Sequence, residues 1–368
     1  MSIEIPTGHR QSGIVSSLRP ESDQSMAHLP GALKVGVIGA GAVGCACLLS
    51  TVMRGFAREI VLVNRDRKRA KGIVSDMQYG TALSRTTNIR DGEFADLAGA
   101  GLIMITAGVN EKSGGATDRN DPAGRLKLLE MNVAVYEEIL PELFKVAPDT
   151  VVLVVTDPPD PLADFVRSQG FRRVLSTGTY LDSLRFRFHL ARHLNVDPKS
   201  VEAQVLGEHG TSEVFLWSSA RIAGIPALDV LQHADDGHAS IQQSIEQAVR
   251  FANIAIIEGN MASQYGIGMV SAHIAEIVLR DERAVVPIGS YNPRYGVTLS
   301  VPSVLGRNGV VEILEPNMSA DECDALESSA ETLRNANSRF VPGLHKELAP
   351  LRASKELSIG LAGTQIEP

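Results

Sequence analysis

Between residues 33 and 160 the chain alternates short β-branched apolar runs with longer stretches of helical periodicity. The runs fall at 34–38, 60–63, 102–106 and 151–155, and a further one lies at 174–177. Their apolar positions are consecutive rather than alternate, the pattern of strands covered on both faces by crossover helices. With the right-handed rule for such crossovers, the spacing predicts a doubly wound parallel sheet.

Beyond Tyr180 the pattern changes. A helix is predicted near 183–194, followed by strand-like pieces at 201–206, 284–288, 297–304 and 310–314, whose close spacing predicts antiparallel pairing. A last helix should open at Ser319, where Glu322 stands three residues on as a capping box, and stop near Pro342. The expected organisation is a flexible N-terminal arm over 1–31, a dinucleotide-binding domain over 32–179, an α+β catalytic domain over 180–342 and a C-terminal tail over 343–368. The arm is rich in Ser, Pro, Gln and Gly and has no short apolar region of the secretory kind.

Composition narrows the choice of partner. A chain of 368 residues, 44% hydrophobic and 21% charged, has the balance of a globular protein, and its length favours two domains. A formal net charge of −8 without a long basic run argues against nucleic acid and anionic membranes, leaving small molecules. The three cysteines, Cys45, Cys47 and Cys323, form neither a CxxC pair nor an even framework, so a reduced, cytoplasmic setting and no structural metal are expected.

The run Val37-Ile38-Gly39-Ala40-Gly41-Ala42-Val43-Gly44 is a glycine fingerprint between a strand and a helix. Gly39 permits the tight turn, Gly41 lets backbone approach a pyrophosphate, and Gly44 lets helix and sheet pack closely. The next strand ends at Asn64, where an NAD site normally places an acid on the ribose. Asn64 would not repel a 2′-phosphate, and Arg65, with Arg67, Lys68 and Arg69, can attract one. The cofactor is therefore NAD or NADP: either the cations bind the extra phosphate, or they are a solvated helix start and Asn64 bonds an NAD ribose.

Two further motifs carry chemistry. Gly207-Glu208-His209-Gly210 offers a histidine able to exchange a proton near neutrality, and Leu181-Asp182-Ser183-Leu184-Arg185 offers a carboxylate to orient it and a planar fork for an anion. Asp182 and Arg185, three apart, share one face of a helix start. This set suits reduction of a 2-keto acid. His189 and His193 have metal-ligand spacing on one predicted helix, but no further ligand accompanies them and no metal is expected.

Over about residues 33–340 the chain resembles the lactate/malate dehydrogenase family. The fingerprint carries the resemblance together with Lys71-Gly72, Asp76-Met77-Gln78, Thr106-Ala107-Gly108, Arg125-Leu126, Asn132-Val133, the Asp182 and His209 motifs, and Val301-Pro302-Ser303-Val304-Leu305-Gly306. Glu208 resembles the lactate branch, where malate enzymes more often have glycine. The resemblance implies a Rossmann-type first domain, with Thr106 and Gly108 at the cofactor. It also implies His209 as proton donor and acceptor, Asp182 as its partner, Arg185 as the carboxylate clamp, and Arg125 polarising the carbonyl from a closing loop. It further implies a homo-oligomer, tetramer or dimer. The activity so implied is that of an NAD(P)-dependent L-2-hydroxy-acid dehydrogenase. A malate-type dicarboxylate reductase is the alternative, and a non-catalytic dinucleotide-binding protein a second.

The chain departs from the family in the substrate region. The loop from Gly108 to Arg125 is longer than usual: counting forward puts Glu111 at the position that reads the substrate, and counting back puts Arg119 there. These predict opposite charges, Arg119 welcoming a second carboxylate and Glu111 rejecting one and favouring a cationic or hydroxylated substituent. Asp157 replaces the asparagine that usually contacts both cofactor ribose and substrate, and Ser263 takes a pocket-wall position often held by threonine.

Overall fold

In the computed structural model the described residues are 33–84, 87–121, 123–231 and 238–341; the expected arm at 1–31 and tail at 343–368 lie outside them. The apolar runs become strands because both of their faces are covered. β1 (Lys34–Ile38), β2 (Glu59–Val63), β4 (Leu102–Ile105) and β5 (Val151–Val154) are buried at almost every position. The covering helices are α1 (Ala42–Arg54), α2 (Arg67–Gly80), α3 (Leu129–Val146) and α4 (Pro159–Ser168). β6 (Val174–Ser176) extends the parallel set beside β5, and α5 (Tyr180–Leu194) follows it, starting earlier than the predicted helix. β3 (Asn88–Gly92) has no counterpart among the predicted strands. It is an edge strand paired only with β2, so Arg90 and Asp91 stay at the surface and no apolar run announces it.

The second half contains β7 (Val201–Glu202), β8 (Val205–Leu206), β9 (Val214–Phe215), β10 (Arg221–Ile222) and β11 (Ile225–Pro226), then helices α6 (Ala227–Leu231), α7 (His238–Arg250), α8 (Ala252–Asn260) and α9 (Tyr265–Arg280). It closes with β12 (Ala284–Asn292), β13 (Val297–Gly306), β14 (Gly309–Ile313) and α10 (Ala320–Asn337). The antiparallel pairing expected here is found, but β12–β14 continue the first sheet rather than forming another. The order is β14-β13-β12-β6-β5-β4-β1-β2-β3. Gly289 of β12 lies opposite Ser176 of β6, and a Cβ on Gly289 would run into the Ser176 hydroxyl, so only glycine allows the two halves to join there. The single strand expected at 201–206 divides, β7 pairing with β10 and β8 with β9. The Ser319–Glu322 capping box forms as expected, and α10 ends at Asn337, short of Pro342.

The sheet is packed on both sides. On one face Tyr136, Leu162 and Leu333 bring α3, α4 and α10 together; on the other Leu48, Ile274 and Ile277 join α1 to α9. A third cluster around Phe186, Phe215 and Trp217 seats α5 against the small sheets and α7. No helix among the described residues is long and apolar enough to cross a membrane.

The α1–α9 contact steadies the glycine turn, because α1 begins there. At the crossing a Cβ on Gly268 would lie 2.6 Å from the Ala46 carbonyl carbon and 2.7 Å from its Cβ. Gly268→Ala is therefore expected to force the helices apart and cost about 1–3 kcal/mol, the usual range for overpacking. Urea unfolding reads this directly, and an unchanged midpoint would show that the crossing is looser than its geometry.

Candidate active site

The first concavity is built by the turn between β1 and α1. Gly39 has φ 113°, a conformation that excludes side chains, and a Cβ on Gly44 would collide with the Gly39 carbonyl oxygen. A Cβ on Gly41 would meet nothing within 4 Å, because that position opens onto a cleft of about 880 Å³. Gly41 is also the N-cap of α1 and offers no side-chain cap, so the first amides of the helix remain available to an anion. Open space at the middle glycine, uncapped amides and a cleft of this size fit a dinucleotide.

The end of β2 is tied to the same turn. Asn64 Oδ1 accepts from the Ala40 N–H at 3.0 Å, and its Nδ2 donates to the Asp66 carbonyl at 3.0 Å. Arg69 Nε donates to the Ala40 carbonyl at 2.8 Å, while Arg67 bonds the Gly92 carbonyl and pairs with Asp91. The basic cluster of the sequence is thus divided. Arg69 braces the turn and Arg67 ties the start of α2 to the end of β3, while Arg65, 95% exposed and 3.9 Å from Glu138, lines the cleft beside Arg67. Thr106 donates to the Ile38 and Gly39 carbonyls at 3.1 and 3.2 Å, locking the floor of the cleft.

A smaller cavity of about 100 Å³ adjoins this cleft, and Thr106, Gly108 and Val109 line both. Its walls include His209, Arg185, Arg125, Glu111, Asp157 and Ser263. Asp182, in the first turn of α5, is 2% exposed; its Oδ1 accepts from Arg185 Nη1 at 2.8 Å and its Oδ2 lies 2.5 Å from His209 Nδ1. With a carboxylate at Nδ1, that nitrogen carries the hydrogen, and Nε2 becomes the position where a proton is exchanged. Nε2 lies 3.8 Å from Asp157 Oδ1. Burial alone would push the Asp182 carboxyl up, but His209, Arg185 and Arg125 hold it well below the ordinary range.

Arg125 is buried among acids. Its Nε stands 3.5 Å from both Glu111 and Asp157, too far to bond either well, and has no hydrogen-bond partner. Burial would lower its pKa, yet Asp157, Glu111, Asp182 and Glu213 raise it. Glu111 moves up, through burial first and then the nearby Asp157. Glu213 is raised by burial and by Asp182. This arrangement can present two guanidinium groups and one exchangeable proton to a small anion.

Of the two candidates for reading the substrate, the structure brings only Glu111 into the cavity. Arg119 does not reach it: the inserted loop carries Arg119 to the surface, where both its terminal nitrogens bond Glu258 at 2.8 and 3.0 Å. Counting back from Arg125 misplaces it because the extra residues fold outward, between Glu111 and Arg125. His189 and His193 lie together in a separate groove between α5 and α7.

Several residues at the site carry no role in the sequence motifs alone. Asn132 holds the loop after β4, accepting from Val109 N at 2.6 Å and donating to the Asp157 carbonyl at 2.6 Å. Its place in the Asn132-Val133 motif is a signal without a function attached. Asn253 donates to Glu111 Oε1 at 3.0 Å, and nothing in its helical surroundings distinguishes it in sequence. Asp160 is fully buried: Oδ2 accepts from the His209 N–H at 2.8 Å and Oδ1 from Ser176 Oγ at 2.5 Å. An acid between Pro159 and Pro161 at a helix start is the available signal.

Comparison with known proteins identifies relatives of the whole described chain. Residues 33–173 match the model of the lactate/malate dehydrogenase NAD binding domain, and residues 179–341 that of the lactate/malate dehydrogenase alpha/beta C-terminal domain. The chain is 41% identical to an L-lactate dehydrogenase of Deinococcus radiodurans over 304 residues, covering 82% of this chain and 97% of that protein. An L-lactate dehydrogenase of Thermus aquaticus is 39% identical over 316 residues, covering 83% and 99%. Among solved structures, a lactate dehydrogenase from a Medee basin deep-sea metagenome library superposes with TM-score 0.76 at 30% identity, over 84% of this chain and 98% of that one. The minor L-lactate dehydrogenase of Enterococcus mundtii gives 0.77 at 30% identity, with the same coverage.

The Asp160 carboxyl has a measurable signature. Burial pushes it from 3.8 to about 7 although His209 N–H and Ser176 favour its ionised form. As pH rises between these values the unfolded chain releases the proton while the folded chain keeps it, so this group's contribution to stability falls, then levels off above about 7. Asp160→Asn removes that slope. Urea unfolding from pH 4 upward should show the gap between wild type and variant narrowing toward pH 7, and parallel curves would contradict the assignment.

Proposed function

Because this chain belongs to the lactate/malate dehydrogenase family, we propose that it interconverts L-2-hydroxy and 2-keto monocarboxylates with a nicotinamide dinucleotide. The observation that carries this reading is the Asp182–His209 pair in a cavity that also holds Arg185 and Arg125 and shares a wall with the dinucleotide cleft. Gly39, Gly41, Gly44, Asn64, Arg65, Thr106, Gly108 and Asp157 would hold the cofactor. When bound, the nicotinamide supplies or accepts the hydride.

The protein's own part is to hold the substrate and move one proton. Arg185 turns its fork from Asp182 toward the substrate carboxylate. Arg125 faces the keto oxygen and stabilises the negative charge that grows there during reduction. His209 gives that oxygen the proton from Nε2, and takes it back in the oxidative direction. Asp182 keeps Nδ1–H oriented and stabilises the imidazolium without itself becoming protonated. The loop carrying Glu111 covers the cavity and excludes water. Two observations weigh against dicarboxylates: Arg119 is paired with Glu258, and Glu111 occupies the cavity wall.

The cofactor preference rests on the divided basic cluster. Asn64 presents no charge to a 2′-phosphate, and of the cations lining the cleft Arg67 is engaged with Gly92 and Asp91 while Arg65 stays almost fully exposed, so NAD is the working cofactor and NADP is tolerated. Self-association belongs to the same reading, supported by exposed Leu49 and Met53 on α1 and Tyr265 and Met269 on α9.

A panel of 2-keto acids with NADH and NADPH tests the reaction. Turnover of at least one monocarboxylate is expected, and His209→Asn should lower kcat by about 10²- to 10⁴-fold while NADH affinity is retained. Tight nucleotide binding without turnover on any member would instead support a non-catalytic role. Arg65→Ala should reduce kcat/KM for NADPH by about tenfold, one lost phosphate contact, and leave NADH unaffected; equal effects on both would remove Arg65 from cofactor selection.

A further inference from the structure

The charges around the substrate cavity are poorly matched to the simplest 2-keto acids. Arg125 and Arg185 face the carboxylates of Glu111, Asp157 and Asp182, two cations against three anions when His209 is neutral. A plain monocarboxylate adds a fourth negative charge. Protonation of His209 offsets one of these and still leaves an excess.

Glu111 is the member of this set with no duty to the reaction. It is only 13% exposed at the side chain, it lines the cavity, and its Oε1 takes both the Asn253 bond at 3.0 Å and the approach of Arg125 at 3.5 Å. Among the described residues no donor meets Oε2. Neutralising Arg125 does not require Glu111, since Asp157 stands at the same 3.5 Å from the same nitrogen. Asn253, itself buried, fixes the acid in place from α8. A carboxylate held so firmly at a substrate wall, with one oxygen unused, is arranged to receive a donor from the ligand.

We propose that Glu111 recognises a positively charged group on the substrate, which is a short 2-keto or 2-hydroxy acid with an ammonium group on its side chain. The inference rests on the dehydrogenase reading above. Such a substrate is a zwitterion and brings no net charge into the cavity. Its carboxylate meets Arg185 and its ammonium meets Glu111, while the oxygen on C2 faces Arg125 and His209. The cavity of about 100 Å³ keeps the side chain short. A second carboxylate would face Glu111 with Arg119 out of reach.

The test is run in the oxidative direction with NAD, because an amino keto acid can condense with itself. The L enantiomers of 3-amino-2-hydroxypropanoate and 2-hydroxybutanoate have nearly the same shape and differ in an ammonium for a methyl. Wild type should show kcat/KM at least about tenfold higher for the amino compound, and Glu111→Gln should erase that ratio, with kcat/KM falling for the amino compound and rising for 2-hydroxybutanoate as one opposing charge is removed. A wild-type preference for 2-hydroxybutanoate would overturn the proposal, as would a ratio unchanged in the variant. The wild-type ratio decides the substrate class even where the variant fails to fold, and circular dichroism identifies that case. Absence of turnover with lactate, malate and both test compounds would overturn the dehydrogenase reading itself.

Discussion

Two buried carboxylates grip one histidine, and the rest of the site is arranged around that grip. Asp182 holds the His209 ring through Nδ1, and Asp160 holds its backbone N–H. Neither acid is near His209 in sequence: one begins α5 and the other begins α4. Each is buried at a cost that only good partners offset. Asp182 has a cation and an imidazole, whereas Asp160 has Ser176 and a single amide. The chain must therefore close before either acid is satisfied, and closing fixes the imidazole against the cavity in the same step.

The same economy of partners explains the cofactor side. Asn64 stands where an acid is usual, but in this fold its amide bonds the glycine turn and the start of α2. An amide can donate and accept at once, which a carboxylate cannot. Loss of charge at the ribose position and gain of rigidity in the turn thus come from one substitution. Arg69 reaches the same turn from α2, so that Ala40 is held through both its N–H and its carbonyl.

Arg125 shows how electrostatics and packing join. It is buried between Glu111 and Asp157 with its Nε bonded to neither, so its charge is compensated without being spent. A guanidinium tightly paired to one acid would have to break that pair to meet a substrate. Held at the same distance from two, its Nε is committed to neither, at the cost of a crowd of like charges. That crowd is what makes the identity of the substrate's side chain an electrostatic question.

The sheet, the glycine turn and the terminal capping box were legible because each rests on local rules: strands covered on both faces must be apolar, a φ as far positive as that of Gly39 favours glycine, and Ser and Glu three apart can cap a helix start reciprocally. The motifs around Asp182 and His209 were legible for a similar reason, since few residue types can exchange a proton near neutrality or clamp a carboxylate. The edge strand β3 was hidden, because a strand with one neighbour and an exposed face needs no apolar run. The joining of β12 to β6, the outward course of the inserted loop and the pairings of Asn253 with Glu111 and Asp160 with His209 depend on distances between segments far apart in sequence. Counting along the loop against the family's pattern could name both Glu111 and Arg119. Only the folded chain sets them apart, pairing Arg119 with Glu258 at the surface and burying Glu111 beside Arg125.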